Sequence, residues 1–206
     1  MKKKRIILIG GAPTTGKSTM AQALSSTLNL PWISTDQIRA ILRSVADKEK
    51  YLGLFNSSDY DAERFLTELT AEKIVKMEFE QGEETWLGVK ALINDCDYEW
   101  KSGCIIEGVG ILPKMVANDF KNDPHITAIF LVDHDLSRMR ETIFTRGLWD
   151  DAHTYGDHLK EKEVEWAFLY SKHLEEQAKQ YGYHWIEVHK NADDLQRVIT
   201  VIRQGE

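Results

Sequence analysis

The chain is poor in cysteine and proline, with two and four respectively among its 206 residues. Cys96 and Cys104 alone can build neither a metal-ligand cluster nor a disulfide framework. A bridge between them does not suit a reducing compartment. No apolar run approaches the ~20 residues that cross a bilayer. The opening MKKKRIILIGG sets basic residues before apolar ones, as a secretory signal does. Its apolar stretch is far shorter than the roughly 7–15 residues of a signal core, so it reads as a first β-strand. The sequence therefore predicts a cytoplasmic protein with no membrane association. Basic excess is missing too. A net charge of −7 argues against general affinity for nucleic-acid backbones, which requires a basic surface, though not against a local basic pocket. Internal repeats, low-complexity tracts and flexible linkers are absent.

What is present is an alternation of short β-rich runs with longer helical ones, the pattern of βαβ units and a parallel sheet. Strands are predicted at residues 5–9, 31–34, 104–107, 126–132 and 185–188. The runs IILI and TAIFLV are continuously apolar, as strands covered on both faces are. Helices are predicted at about 17–29, 36–46, 59–80, 83–101, 112–121, 135–146, 160–181 and 193–203. Trp86, Val89, Ile93, Cys96 and Trp100 step by three and four and so share one helix face. That stripe reads as core, with Cys96 a small buried hydrophobe. The long stretch between the second and third strands predicts a helical insertion over about 47–102 within a single domain, 1–206. Residues 147–159 lack periodicity and read as a lid loop.

Residues 11–18, GAPTTGKS, fit G-x-x-x-x-G-K-[ST] at every fixed position, with a strand running in and a helix running out. Gly11 and Gly16 permit backbone angles that other residues resist, so that successive N–H groups of the turn through Ala12, Pro13, Thr14 and Thr15 can curl around an anion. The following helix points its positive end at the same place. Lys17 can reach the terminal phosphates, Ser18 can offer its hydroxyl to Mg²⁺, and Thr19 adds another hydroxyl. The stretch predicts binding of a nucleoside triphosphate, with ATP and Mg²⁺ as cofactors.

The reaction is read from what surrounds that loop. A guanine-reading NKxD segment is missing; KNAD at 190–193 has the wrong order. A motor would want an apolar strand ending in Asp-Glu, whereas CIIEGVG ends in Glu-Gly. A small-molecule kinase needs a carboxylate at the acceptor hydroxyl, cations around the travelling phosphoryl and a shield against water. Asp36 in WISTDQIRAILR falls at the carboxyl edge of the second strand, where open α/β sheets bind ligands. It can serve as acceptor-activating base or as a helix-capping acid. Arg39 at i+3 shares its helix face and suits an anionic acceptor or an ion pair with Asp36. Arg43, Arg64 and Lys90 are further acceptor candidates by position. Glu107, followed by Gly108, can hold a metal-bound water, bind acceptor, or close a strand end. Arg138, Arg140 and Arg146 share the helix before the lid. Arg138 is read as a nucleotide contact and Arg146, at the lid entrance, as a charge-neutralising catalytic group. Trp149, His153, Tyr155 and His158 lie in the lid, and His189 to Asn191 neighbour the base.

Strand, GAPTTGKS, helix, STDQIR, EGVG, an arginine-bearing helix and a lid together resemble the P-loop small-molecule kinases, the adenylate, shikimate and gluconate kinase group. The local strings GGAPTTGKS, ISTDQIR and IIEGVGILP are most similar to 2-phosphoglycerate kinase-type proteins. The D-x-x-R spacing is also similar to that of polynucleotide 5′-kinases. The resemblance implies an α/β P-loop three-layer sandwich. Its five-stranded parallel sheet has the order 2-3-1-4-5, with helices on both faces. It further implies ATP and Mg²⁺ at the carboxyl edge, Lys17 and Ser18 on them, and Asp36 as base. The sequence departs from the group in an arginine-poor lid, in the lack of a second Asp before Asp36, and in the insertion. The expected activity is phosphoryl transfer to a small, anionic metabolite. A polynucleotide-end or nucleotide kinase and a non-catalytic ATP-binding regulator are the alternatives.

Overall fold

Residues of alternate parity in the strands pack to opposite sides of one sheet, and this divides the core in two. The computed structural model describes residues 5–95, 100–147 and 153–204. Strands β1 (Arg5–Gly11), β2 (Trp32–Ser34), β3 (Gly103–Gly108), β4 (Ile126–Val132) and β5 (His184–Glu187) form a five-stranded sheet in the order β2-β3-β1-β4-β5. Every pairing is parallel. Ile6, Leu8, Cys104, Ile106 and Phe130 face one cluster; Ile7, Ile9, Ile105, Ile129 and Leu131 face the other. All ten are 1% exposed or less. Each such aliphatic side chain contributes about 1.5–3 kcal/mol by leaving water.

The helices are α1 (Lys17–Leu28), α2 (Thr35–Val45), α3 (Leu52–Phe55), α4 (Ala62–Glu68), α5 (Ala71–Asn94), α6 (Pro113–Phe120), α7 (Leu136–Arg146), α8 (Asp157–Tyr181) and α9 (Ala192–Gln204). Helices α1 and α9 cover one face through Ala21, Leu24, Val198 and Ile202. Helices α5, α6 and α8 cover the other through Trp86, Val89, Val116, Tyr170 and Leu174. Among the described residues no helix is long and apolar enough to span a membrane.

The strand readings hold within a residue or two; β1 runs on through Gly10 and Gly11, which pair with β3 and β4 rather than starting a loop. A Cβ on Gly10 would lie 2.5 Å from the Ile111 carbonyl and the Phe130 ring, so the glycine permits close strand packing. The helices expected at 59–80 and 83–101 are a correction. One helix, α5, runs unbroken through Gly82, and the break falls at Leu69–Thr70, where the Thr70 side chain accepts from the Lys73 N–H. That cap decides the start of α5. Gly82 does not break it, because its bare Cα lets α5 approach Leu112 and Gly110, which a Cβ would meet at 3.0 and 3.3 Å. Trp86, Val89 and Ile93 are buried as core; Cys96 lies outside the described residues, and Trp100 follows the helix.

Gly103 starts β3 at φ 111°, and a Cβ there would sit 1.6 Å from the Arg5 carbonyl oxygen. Strain and clash act together at that position. Gly103→Ala should cost about 3 kcal/mol, a fall of roughly 6–12 °C in Tm by calorimetry. An unchanged Tm would contradict this account of the β1–β3 edge.

Candidate functional site

The loop from β1 to α1 is built to leave donors unspent. Thr14 and Gly16 both take left-handed backbone angles, φ 69° and 78°. Gly16 has nothing within 4 Å of a notional Cβ, so its conformation rather than space calls for glycine. Helix α1 starts there with no side-chain cap and no acid in its first turn. By contrast α2, α4, α5 and α7 are capped by Ser34, Asp61, Thr70 and Asp135. The first N–H groups of α1 thus keep their capacity for an anion. Beneath the loop, the Ala12 carbonyl accepts from the Thr15 hydroxyl at 2.8 Å, the Thr15 N–H at 3.4 Å and Lys17 Nζ at 2.7 Å. The Thr14 hydroxyl is buried without a hydrogen-bond partner.

Across from the loop, parallel register brings in the other elements. Ile9 pairs with Glu107, and Glu107 pairs with Ser34. Ser18, at the start of α1, donates to Glu107 Oε1 at 3.1 Å. Gly108 at φ 147° allows β3 to pass Thr35, whose Oγ1 would lie 1.8 Å from a Cβ. Ser34, not Asp36, caps α2: its hydroxyl accepts from the Gln37 N–H, and the Gln37 side chain returns the bond. The capping role is therefore filled, and the Asp36 carboxylate stands exposed on the cleft, paired with Arg39 at 3.0 Å.

These groups line one cleft of about 700 Å³, with Arg39, Glu78, Gln81, Trp166 and Arg146 on its walls. Burial draws the Lys17 ammonium below its usual pKa; Glu107 and Asp36 pull it back up, and Arg146 pushes it further down. Burial raises the Glu107 carboxyl against the opposing effects of Lys17 and of the Ser18 hydrogen bond. Such mutual tuning of buried acid and base marks sites that handle charge.

Of the residues singled out by sequence, Pro13, Thr14, Gly16, Lys17, Ser18, Thr19, Asp36, Arg39, Glu107, Gly108 and Arg146 meet on this cleft. Gly11, Ala12 and Thr15 are buried under it. Arg138 does not reach it. Its guanidinium is taken by buried Asp133 at 2.6 Å, by Asp135, and by the Val188 carbonyl, and so ties the ends of β4 and β5 together. Arg140 pairs with Glu161 over the Phe144 ring. Arg43 bonds Leu54 and Ser57, Arg64 pairs with Glu68, and Lys90 pairs with Asp119. None of these four lines the cleft. Trp149 lies outside the described residues, as does 148–152 of the expected lid; His153 and His158 are exposed, and Tyr155 donates to Glu163. At the far end, Lys190 Nζ donates to Thr142, which lines the cleft.

Comparison with solved structures fits this geometry. The chain superposes over its full length on shikimate kinase from Acinetobacter baumannii, in complex with shikimate, with TM-score 0.58, 12% identity and 96% of that chain covered. A putative kinase from Chloroflexus aurantiacus gives TM-score 0.51 at 15% identity, with 99% of both chains covered. No protein-family model matches. In sequence the chain is 33% identical to 2-phosphoglycerate kinase of Methanocaldococcus jannaschii over 145 residues, 69% of this chain and 46% of the relative. It is 30% identical to that of Pyrococcus horikoshii over 148 residues, 71% and 46% of the two. Its fold is thus that of the solved shikimate kinase, and its sequence is similar to that of the 2-phosphoglycerate kinases. The chain spans under half the length of these curated relatives.

Within this P-loop kinase fold, three cleft residues have no sequence motif: Glu78 and Gln81 on α5, and Trp166 on α8. Gln81, 3% exposed, accepts from Arg39 and donates to Asn56 and Ser57 at 3.4 Å. It thereby steadies the guanidinium that holds Asp36. Reading α5 as one helix from Thr70 would have aligned Ile74, Glu78, Gln81 and Thr85 on a single face, three polar groups on the inward side of the helix.

Burial raises the Glu78 carboxyl, against the attraction of Arg39. The folded chain therefore holds its proton to higher pH than the unfolded chain, and stability falls as pH rises from the ordinary glutamate value of about 4.3 through the raised one. Glu78→Gln should unfold at higher urea than the parent at pH 8 and at the same urea at pH 4. A variant weaker than the parent at pH 8 would refute the burial assignment.

Proposed function

We propose that the chain transfers the γ-phosphoryl group of ATP to a hydroxyl of a small anionic metabolite. The observation that carries this reading is the placement of Asp36 on the same cleft as Lys17, close enough for the two to couple electrostatically. A carboxylate there can take the acceptor proton as the new O–P bond forms and the bond to the ADP oxygen breaks. Lys17 leaves the Ala12 carbonyl for the phosphates, and Arg146 neutralises charge on the moving group. Arg39 spends donors on Asp36 and Gln81 and has others for an anionic group on the acceptor. The names of the sequence relatives support a charged small metabolite as acceptor.

The site also suits a magnesium ion. The Ser18 hydroxyl and the Glu107 carboxylate sit side by side, and the buried Thr14 hydroxyl lacks a partner in the loop. Ser18 would hold Mg²⁺, with Glu107 binding one of its waters. When bound, the ion would supply charge neutralisation for the phosphoryl groups. A cytoplasmic setting, where ATP is available, suits this reading.

Asp36→Asn should lower kcat for phosphoryl transfer by about 10²–10⁴-fold while ATP affinity holds. Lys17→Ala should weaken ATP binding at least about tenfold, the loss of one charge-assisted contact. Calorimetry with ATP and an ADP-release assay read the two effects. ATP binding that no acceptor converts into turnover would favour the regulator reading instead.

A further inference from the structure

Helices α4, α5 and α8 wall the cleft that Asp36 shares, the acceptor wall in the kinase reading. From that wall one buried amide, Gln81, reaches the Asp36–Arg39 pair. Gln81 Oε1 accepts from Arg39 Nη1, while Arg39 Nη2 pairs with Asp36 Oδ1 at 3.0 Å. The other end of the amide, Nε2, donates to Asn56 Oδ1 and to the Ser57 hydroxyl, both at 3.4 Å. Asn56 in turn donates through Nδ2 to the Met77 carbonyl at 2.8 Å. It is the C-cap of α3 and does not line the cleft.

The ends of this chain of bonds dictate its direction. A backbone carbonyl only accepts and a guanidinium only donates. With the Met77 carbonyl at one end, Asn56 must present its NH2 there and its oxygen to Gln81. Gln81 must then present its NH2 to Asn56 and its oxygen to Arg39. The reverse order would set donor against donor at a residue only 3% exposed, where an unmet polar group is costly. Arg39 also has a second carboxylate within its influence. Glu78, one turn earlier on α5, attracts the same guanidinium. Arg43, the next arginine of α2, is spent on the Leu54 carbonyl and the Ser57 hydroxyl.

We infer that Gln81 is a positioning residue for phosphoryl transfer, holding one arm of Arg39 so that the other meets Asp36 rather than Glu78, with Asn56 fixing the sense of the Gln81 amide. This rests on the kinase reading above and adds to it two residues that carry no sequence motif. Without Gln81 the guanidinium turns between two carboxylates. Asp36 then loses the fixed partner that keeps its oxygens in place for an acceptor hydroxyl, and small displacements of a reacting group are costly in rate.

NMR of the whole chain with isotope-labelled arginine gives the first readout. The Arg39 Nη signals, recognised by their loss in Arg39→Lys, should be separate in the parent because two partners restrain the guanidinium. They should merge in Gln81→Met, which keeps the length of the side chain without its amide. The second readout is ADP release with ATP, Mg²⁺ and a polar metabolite extract as source of acceptor, less the rate of Asp36→Asn. At limiting extract Gln81→Met should lower this rate about 10–100-fold. Calorimetry should find ATP affinity and the number of ATP sites per chain unchanged. In an Arg39→Ala background the same substitution should cost less than about twofold, because Gln81 acts through Arg39. Asn56→Ser, outside the cleft, should lower the rate about two- to tenfold, and it decides the matter if Gln81→Met does not fold. Separate Nη signals in Gln81→Met, an undiminished rate in either variant, or losses that add to those of Arg39→Ala overturn the inference and leave the kinase reading standing. An extract that supports no Asp36-dependent ADP release removes the kinase reading, and the inference with it.

Discussion

Parallel strand register is the constraint on which the rest of the molecule depends. Because every strand runs the same way, every strand ends at one edge, and each following segment begins there. Gly10 pairs with Gly108 and Ser34 with Glu107, which brings the loop at 12–18, the start of α2 and the end of β3 to a common place. Ser18 and Glu107 touch although 89 residues separate them. A shift of one residue between β1 and β3 would turn Glu107 to the other face of the sheet and leave Ser18 without it.

Electrostatics then builds on that frame. Burial works against the charges of Lys17 and Glu107, which favour one another's ionised form, while Asp36 and Arg146 act on Lys17 in opposite senses. Their balance is kept by pairing: Lys17 on the Ala12 carbonyl, Glu107 under Ser18, Asp36 on Arg39. Burial of charge is costly unless partners are at hand. The partners here are the same groups that a triphosphate and its acceptor would engage, so an incoming ligand exchanges contacts rather than creating charge in an apolar place.

Much of this was legible from residue order. Long apolar runs located β1, β3 and β4, because their burial on both faces leaves no room for polar residues. The phosphate loop was legible because its backbone angles demand glycine at fixed spacing. The roles of single arginines were not. Arg138 and Arg146 look alike in sequence and lie on one helix, but buried Asp133, brought alongside by the end of β4, captures the first. Nothing in local spacing reveals such a partner. The acceptor wall was hidden for a second reason. Its side chains come from α4, α5 and α8, and ending one expected helix at 80 and starting the next at 83 cut α5 in two, which separated Glu78 from Gln81 and the face they share. The Thr70 cap was the signal that would have restored it.

Gly82 has a wider meaning than helix continuity. The bare Cα lets α5 rest directly on Gly110 and Leu112, immediately beyond the strand that ends in Glu107 and Gly108. Residue 81, next in line, grips Arg39. The end of β3 and the cleft wall on α5 are thus in close contact, at Gly110 and the Leu112 side chain. A larger residue at 82 would push α5, and Gln81 with it, away from the strand end that carries Glu107.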